Sequence, residues 1–263
     1  MDFEGFMGSC KEQWGDTDGD TISDAPHPAD RRLADLPDWV PGFATENKLM
    51  LLNLAVQHME PGEVYVEVGT WQGLSLIGAS RGNDRKHLVA CDDFSKLGAC
   101  RRSLDRHLAV HCPDNQVDVY ASDFREFLDA APWQPARVGA YFYDGSHRFR
   151  DQFDALRLIR PWLAPDAAII IDDTDDQPVR AANQLFERHV PALEPVLDIR
   201  APHYKDAAWW NGVQVYRWRS DAPPPDLPIS RLVYLPRLLL WNRLVVYGQR
   251  TLDLATAALR GRR

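Results

Sequence analysis

The chain has 263 residues, 45% hydrophobic and 26% charged, an ordinary globular composition that allows one large domain with appendages or at most two domains. Its formal net charge of −8 is uneven: from Arg231 onward seven Arg stand against one Asp, so that tail carries +6 and the remainder −14. So acidic a body argues against nucleic acid as the main partner, and the lack of any run of 18 uncharged apolar residues argues against a spanning helix.

Met1-Asp-Phe-Glu4 has neither the basic start nor the apolar run of a secretory signal. Cys10, Cys91, Cys100 and Cys112 form no CxxC pair, so they read as free thiols of a reducing compartment, and a cytoplasmic location is expected. Residues 1–44 are polar and rich in Asp, Pro and Gly, which predicts a loosely ordered arm or lid. Asp16-Thr-Asp-Gly-Asp20 resembles the start of a calcium loop, but the twelfth position is His27 where a Glu is needed, so it reads as a solvated linker. Trp14 and Trp39 must bury somewhere, and folding over a ligand is one way.

Thr45 caps a helix expected to run to about Met59, with Leu49, Leu52, Val56 and Met59 at helical spacing and Pro61-Gly62 ending it. Val64-Tyr-Val-Glu-Val-Gly69 is rich in β-branched and aromatic residues and runs into a glycine, a strand and tight turn leading to a helix from about Gly73 to Ser80. Further strands are expected at 87–92, 116–121, 138–143 and 167–171, with helices at about 99–111, 124–131, 149–162 and 179–189 between and after them. Residues 195–200 and 212–218 read as two last strands close enough to pair antiparallel. Ala167-Ala-Ile-Ile-Ile171 is continuously apolar, as expected for a sheet covered on both faces. This alternation predicts an α/β fold, doubly wound and Rossmann-like, with a mostly parallel sheet. Right-handed crossovers then place the strand ends Gly69, Asp92, Asp123, Asp144 and Asp172 along one edge, where ligands bind.

Asp92 lies 19 residues after Gly73, close to the spacing of an acidic residue that accepts from ribose hydroxyls. Ribose alone does not separate NAD from other nucleoside cofactors. The dinucleotide fingerprint wants a glycine where this chain has Glu67, and that carboxylate would repel a pyrophosphate. It suits a cofactor end bearing an ammonium and a sulfonium. Glu67-Val-Gly-Thr-x-x-Gly73, Asp92, Asp144-Gly-Ser-His147 and Asp172-Asp173 together resemble class I S-adenosylmethionine-dependent methyltransferases, in particular the metal-dependent O-methyltransferases that include catechol and macrolide-sugar enzymes. The resemblance spans about residues 45–218. It implies seven strands with the last antiparallel. It also implies that Glu67, Gly69, Thr70 and Gly73 surround the methionine part, with Asp144 at the same end. Asp92 would hold the ribose, and Ser122 or Asp123 would lie by the adenine.

Asp144, Asp172 and Asp173 end neighbouring strands, and three converging carboxylates repel unless a cation neutralises them. Hard oxygen ligands favour Mg²⁺ or a similar ion. His147, three residues after Asp144 across a Gly-Ser turn, can face the same site, and its ordinary pKa of about 6.5 suits proton removal. In macrolide-sugar methyltransferases an Asp-x-x-His stretch supplies a metal ligand and a base, and the similarity implies those roles for Asp144 and His147. The bland alternatives are helix capping by Asp172–Thr174, a solvated acidic loop at Asp175-Asp176 and an exposed turn at His147. His107 and His111 lack a third zinc partner and read as surface residues. Tyr204, Trp209 and Trp210 lie between the last two strands, where a loop would overhang the site.

Pro223-Pro-Pro225 and Pro228 mark a stiff linker. Beyond Pro236, Leu238, Trp241, Val245, Leu252 and Leu259 recur at helical spacing with Arg243 and Arg250 opposite, an amphipathic basic helix. Packing on its own domain, pairing in a homo-oligomer and lying on an anionic membrane surface all remain open for it. The sequence thus reads as 1–44 arm, 45–218 catalytic domain and 219–263 linker and helix. The expected activity is methyl transfer to a hydroxyl of a small molecule such as a sugar, phenol or secondary metabolite. An NAD-dependent oxidoreductase and a non-catalytic cofactor-binding or membrane-docking scaffold are the alternatives.

Overall fold

Seven strands build one sheet: β1 (Glu63–Val68), β2 (His87–Asp92), β3 (Gln116–Ala121), β4 (Arg137–Tyr143), β5 (Leu163–Asp172), β6 (Leu193–Ile199) and β7 (Val213–Arg219). They are seen in a computed structural model that describes residues 1–15, 22, 24–96, 98 and 100–220. The order is β3-β2-β1-β4-β5-β7-β6. The first five strands pair in parallel, and β7 is inserted antiparallel between β5 and β6. The expected Rossmann-like sheet with its last strand reversed is therefore what the chain forms. The order reverses between β1 and β4, whose carboxyl ends open the crevice in which such folds bind ligands.

Side-chain alternation explains the apolar runs. Val64, Val66, Val68, Ile169 and Ile171 enter one core, whereas Tyr65, Ala168 and Ile170 enter the other. Each face is covered, so neither set of alternate positions is left to water, at roughly 1.5–3 kcal/mol for each large side chain buried. The helix Glu46–Gln57, capped by Thr45 Oγ1 accepting from Lys48 N, packs on the helix Leu74–Ser80 on one side. The helices Phe149–Ile159 and Gln177–His189 pack together on the other.

Residues 1–44 depart from expectation. Phe3–Trp14 is a helix, capped by Asp2 accepting from Gly5 N, and its Phe3, Phe6, Cys10 and Trp14 are buried in the main core. A second short helix spans Leu36–Trp39. The polar composition had concealed an apolar stripe at spacings of three and four, which packs once the helix Glu46–Gln57 offers it a surface. Trp14 is buried in the core, where its Nε1 donates to Asn47 Oδ1 at 2.9 Å, while Trp39 is 67% exposed. Smaller differences are local. The helix expected to reach Trp162 becomes 3-10 at Arg160–Trp162, where Pro161 ends the α-helical bonding, and β5 begins at Leu163. No helix among the described residues is long and apolar enough to cross a membrane. The calcium-like stretch 16–20 and the basic tail from residue 221 onward lie outside the described residues.

Candidate active site

A cavity of about 570 Å³ opens at the carboxyl ends of β1, β2, β4 and β5. Gly69, Thr70, Asp92, Ser122, Asp123, Asp144, His147, Asp172 and Asp173 all line it. Gly69 has φ +96°, and a Cβ there would lie 2.0 Å from the Asp144 carbonyl oxygen, so the glycine lets the ends of β1 and β4 pass each other. Asp92 joins the turn to β2: its Oδ2 accepts from Trp71 N at 2.8 Å and its Oδ1 from Phe94 N at 2.7 Å. Asp123 both faces the cavity and caps the helix Phe124–Ala130, accepting from Arg125 N at 2.8 Å.

Two expected cofactor contacts fall elsewhere. Glu67 is fully buried beneath the turn, where its carboxylate accepts from Tyr65 Oη at 2.6 Å and Ser75 Oγ at 2.8 Å. Burial raises its pKa, against the pull of those hydrogen bonds. The alternation of β1 turns this side chain inward, so it shapes the turn from below and does not border the cavity. Gly73 adopts φ +94° to start the helix Leu74–Ser80, and a Cβ there would meet Leu104 Cδ1 at 2.5 Å; its constraint is helix packing.

The acidic end also differs in detail from the expected ligand set. Asp172 is engaged by the ammonium of Lys48, both being almost wholly buried, and its Oδ1 accepts from Asp173 N at 2.8 Å. Asp144, His147 and Asp173 instead offer one ligand atom each, all within 4.8 Å of one another. His147 Nε2 lies 2.8 Å from Asp173 Oδ2 and Nδ1 lies 2.8 Å from Asp176 Oδ2. Burial works against a charged His147, but the hydrogen bonds to Asp173 and Asp176 outweigh it and push its pKa up to about 11. Burial, then the charges of Asp172 and Asp173, hold the Asp144 carboxyl well above the usual range. Burial would raise Asp173 too, yet its hydrogen bond from His147 keeps it below its ordinary value. The positive charges of Lys48 and His147 pull the other way on Asp144 but do not offset its burial and the two neighbouring carboxylates, and further positive charge there would favour its ionised form.

Sequence reasoning missed four participants. Lys48 immediately precedes the apolar run Leu49–Leu52, with nothing local to announce a partner 124 residues away. Asp176, read as part of a solvated loop, holds His147 and accepts from Asn211 Nδ2 at 3.3 Å. Phe43 and Trp71 border the cavity with Tyr204 and Trp210. Trp209, grouped with Trp210 from sequence, is instead fully buried, and its Nε1 donates to Ile22 O at 2.8 Å.

Residues 66–174 match the family model described as a methyltransferase domain. Three solved structures share the fold. An O-methyltransferase from Bacillus cereus in complex with SAH is 16% identical over 76% of this chain and 96% of its own, with a TM-score of 0.56. The O-methyltransferase TomG from Streptomyces achromogenes, involved in tomaymycin synthesis and solved with SAM, is 16% identical over 72% and 88%, with a TM-score of 0.53. CalS11, a TDP-rhamnose 3'-O-methyltransferase of calicheamicin biosynthesis, is 18% identical over 82% and 94%, with a TM-score of 0.52. No curated protein sequence matches the chain.

Proposed function

We propose that this chain, whose residues 66–174 match a methyltransferase domain and whose fold is shared with O-methyltransferases solved with SAH and SAM, uses S-adenosylmethionine to transfer a methyl group to a hydroxyl of a small molecule with the help of a divalent cation. One observation carries this reading: a single cavity joins the glycine turn and Asp92 to the Asp144, His147 and Asp173 cluster. The residues suit both groups. Asp92 keeps lone pairs free on oxygens that accept one N–H each, as a ribose partner requires, and Ser122 and Asp123 border the same end. The two carboxylates of the cluster, Asp144 and Asp173, are hard oxygen donors that suit Mg²⁺ or a related ion, with the His147 imidazole beside them.

S-adenosylmethionine supplies, when bound, an electrophilic methyl on a sulfonium. A divalent cation supplies positive charge that acidifies a neighbouring hydroxyl. The chain's own residues do the rest. Asp144 and Asp173 would hold the cation, while Lys48 pairs with Asp172. Asp176 fixes His147 through Nδ1, leaving Nε2 as the atom that faces the cluster. Nε2 of His147, held at the cluster, is the atom that would accept the hydroxyl proton, and Asp173 would be shared between that imidazole and the cation. The cavity walls align acceptor and donor, which is most of what in-line methyl transfer needs from a protein.

Calorimetry with S-adenosylhomocysteine and with NAD, each with and without Mg²⁺, tests the reading. S-adenosylhomocysteine is expected to bind and NAD to give no heat; binding of NAD alone would end the methyltransferase assignment for this site.

A further inference from the structure

Four aromatic rings form a continuous wall along the cavity rim. Phe43 stacks on Trp71 with centroids 5.0 Å and planes 8° apart, lies 5.6 Å from Trp210, and Trp210 lies 6.4 Å from Tyr204. Phe43 is 46% and Tyr204 68% exposed, so the wall leaves much apolar surface open to water. The Lys205 ammonium stands 5.5 Å from the Tyr204 centroid and 5.7 Å from that of Trp210. Lys205 and Arg148 both border the cavity, and among the described residues neither forms an ion pair with a carboxylate.

The loop that presents this wall is built rigidly. Asp206 and Trp210 exchange backbone hydrogen bonds of 2.9 Å, and Asp206 Oδ1 accepts from Ala208 N at 2.8 Å and Trp209 N at 3.0 Å. Thr45 Oγ1 donates to Ala208 O at 2.6 Å, and Trp209 anchors the loop in the core against Trp14, 5.6 Å away. Lys205 and Trp210 themselves take left-handed backbone, φ 63° and 58°, a cost of about 1–3 kcal/mol each that the anchored surroundings must sustain. The result is an angled apolar wall with a cation at its edge, lining the same cavity as His147.

We infer that the acceptor is a ring-bearing hydroxyl compound with an anionic substituent, its ring stacked on Trp210 with Tyr204 at its edge and its anion meeting Lys205. This rests on the methyltransferase reading and names the acceptor class for it. A ring covers the exposed aromatic surface, and an anion supplies the counter-charge that Lys205 lacks.

Calorimetry on the full chain, saturated with S-adenosylhomocysteine and Mg²⁺, compares 3,4-dihydroxybenzoate with its neutral amide as probes. The carboxylate is expected to bind about tenfold tighter, as one charge-assisted contact gives. Lys205→Met should bring the two within about twofold, Lys205→Arg should keep the preference, and Trp210→Ala should weaken both by a similar factor of roughly five. Equal binding of the two probes, binding of neither, or a preference that survives Lys205→Met overturns the inference. S-adenosylhomocysteine is titrated first into every variant. Wild type that binds it yet shows no charge preference sinks this inference alone, and wild type that does not bind it sinks the methyltransferase reading as well. Loss of that binding in Lys205→Met would make Lys205 a cofactor or folding contact and overturn the inference.

Discussion

A histidine held between two carboxylates is a cation at neutral pH until one of them is drawn away. His147, pushed up to about 11 by Asp173 and Asp176, is in that state without a cation. A group whose folded pKa is raised contributes stability that is fully present below its ordinary range, about 6.5, and lost as pH climbs through the folded value. In chelator-treated protein, the difference in Tm between wild type and His147→Gln should therefore be largest near pH 6 and shrink steadily toward about pH 11 in thermal melts. In turnover assays His147→Ala should lose roughly 10²–10⁴ in kcat, the usual weight of a general base, with S-adenosylhomocysteine and Mg²⁺ affinities close to wild type. Collapse of Mg²⁺ affinity would instead make the imidazole a metal ligand. Lys48 gives a prediction of a different kind. Lys48→Met leaves Asp172 buried without its counter-ion and should cost about 3–5 kcal/mol in denaturant unfolding, whereas Lys48→Met combined with Asp172→Leu should recover most of it.

Among the elements, two glycines of the same chemistry call for opposite substitutions. Gly8 lies inside the helix Phe3–Trp14 with nothing within 4 Å of a would-be Cβ, so Gly8→Ala should stabilise by about 0.5–1 kcal/mol through helix propensity. Gly69 ends β1 with positive φ and the Asp144 carbonyl 2.0 Å from the same atom, so Gly69→Ala must shift β1 against β4. It should cost about 1–3 kcal/mol in chemical denaturation and weaken S-adenosylhomocysteine binding, because the backbone it displaces carries Asp144. The sequence exposed much of this scale. The apolar run at Ala167–Ile171 announces a strand covered on both faces, and each parallel strand ends within two residues of a Gly or Asp. The helix Phe3–Trp14 stayed hidden because its stripe is only four residues wide and embedded in polar composition, so periodicity alone was outweighed.

At the level of the molecule, the N-terminal segment belongs to the core it was expected to flank. Trp14 packs against Trp209 and hydrogen-bonds Asn47, tying the first helix to the loop that carries Trp210. Trp14→Ala should therefore destabilise the whole fold by about 3–5 kcal/mol in equilibrium unfolding, and the loss should appear as one cooperative transition. By itself the sequence determined the class of fold, the strand ends that gather at one edge and the acidic, glycine-bearing character of that edge, since period, turn residues and strand termini are local signals. Tertiary structure alone decided which carboxylates stand together at His147, that Lys48 spends itself on Asp172, that Glu67 turns inward and that Trp209 and Trp210 part company. Those outcomes depend on pairings across long stretches of chain and on which way a side chain leaves a strand packed on both sides, and neither leaves a repeating trace in the order of residues.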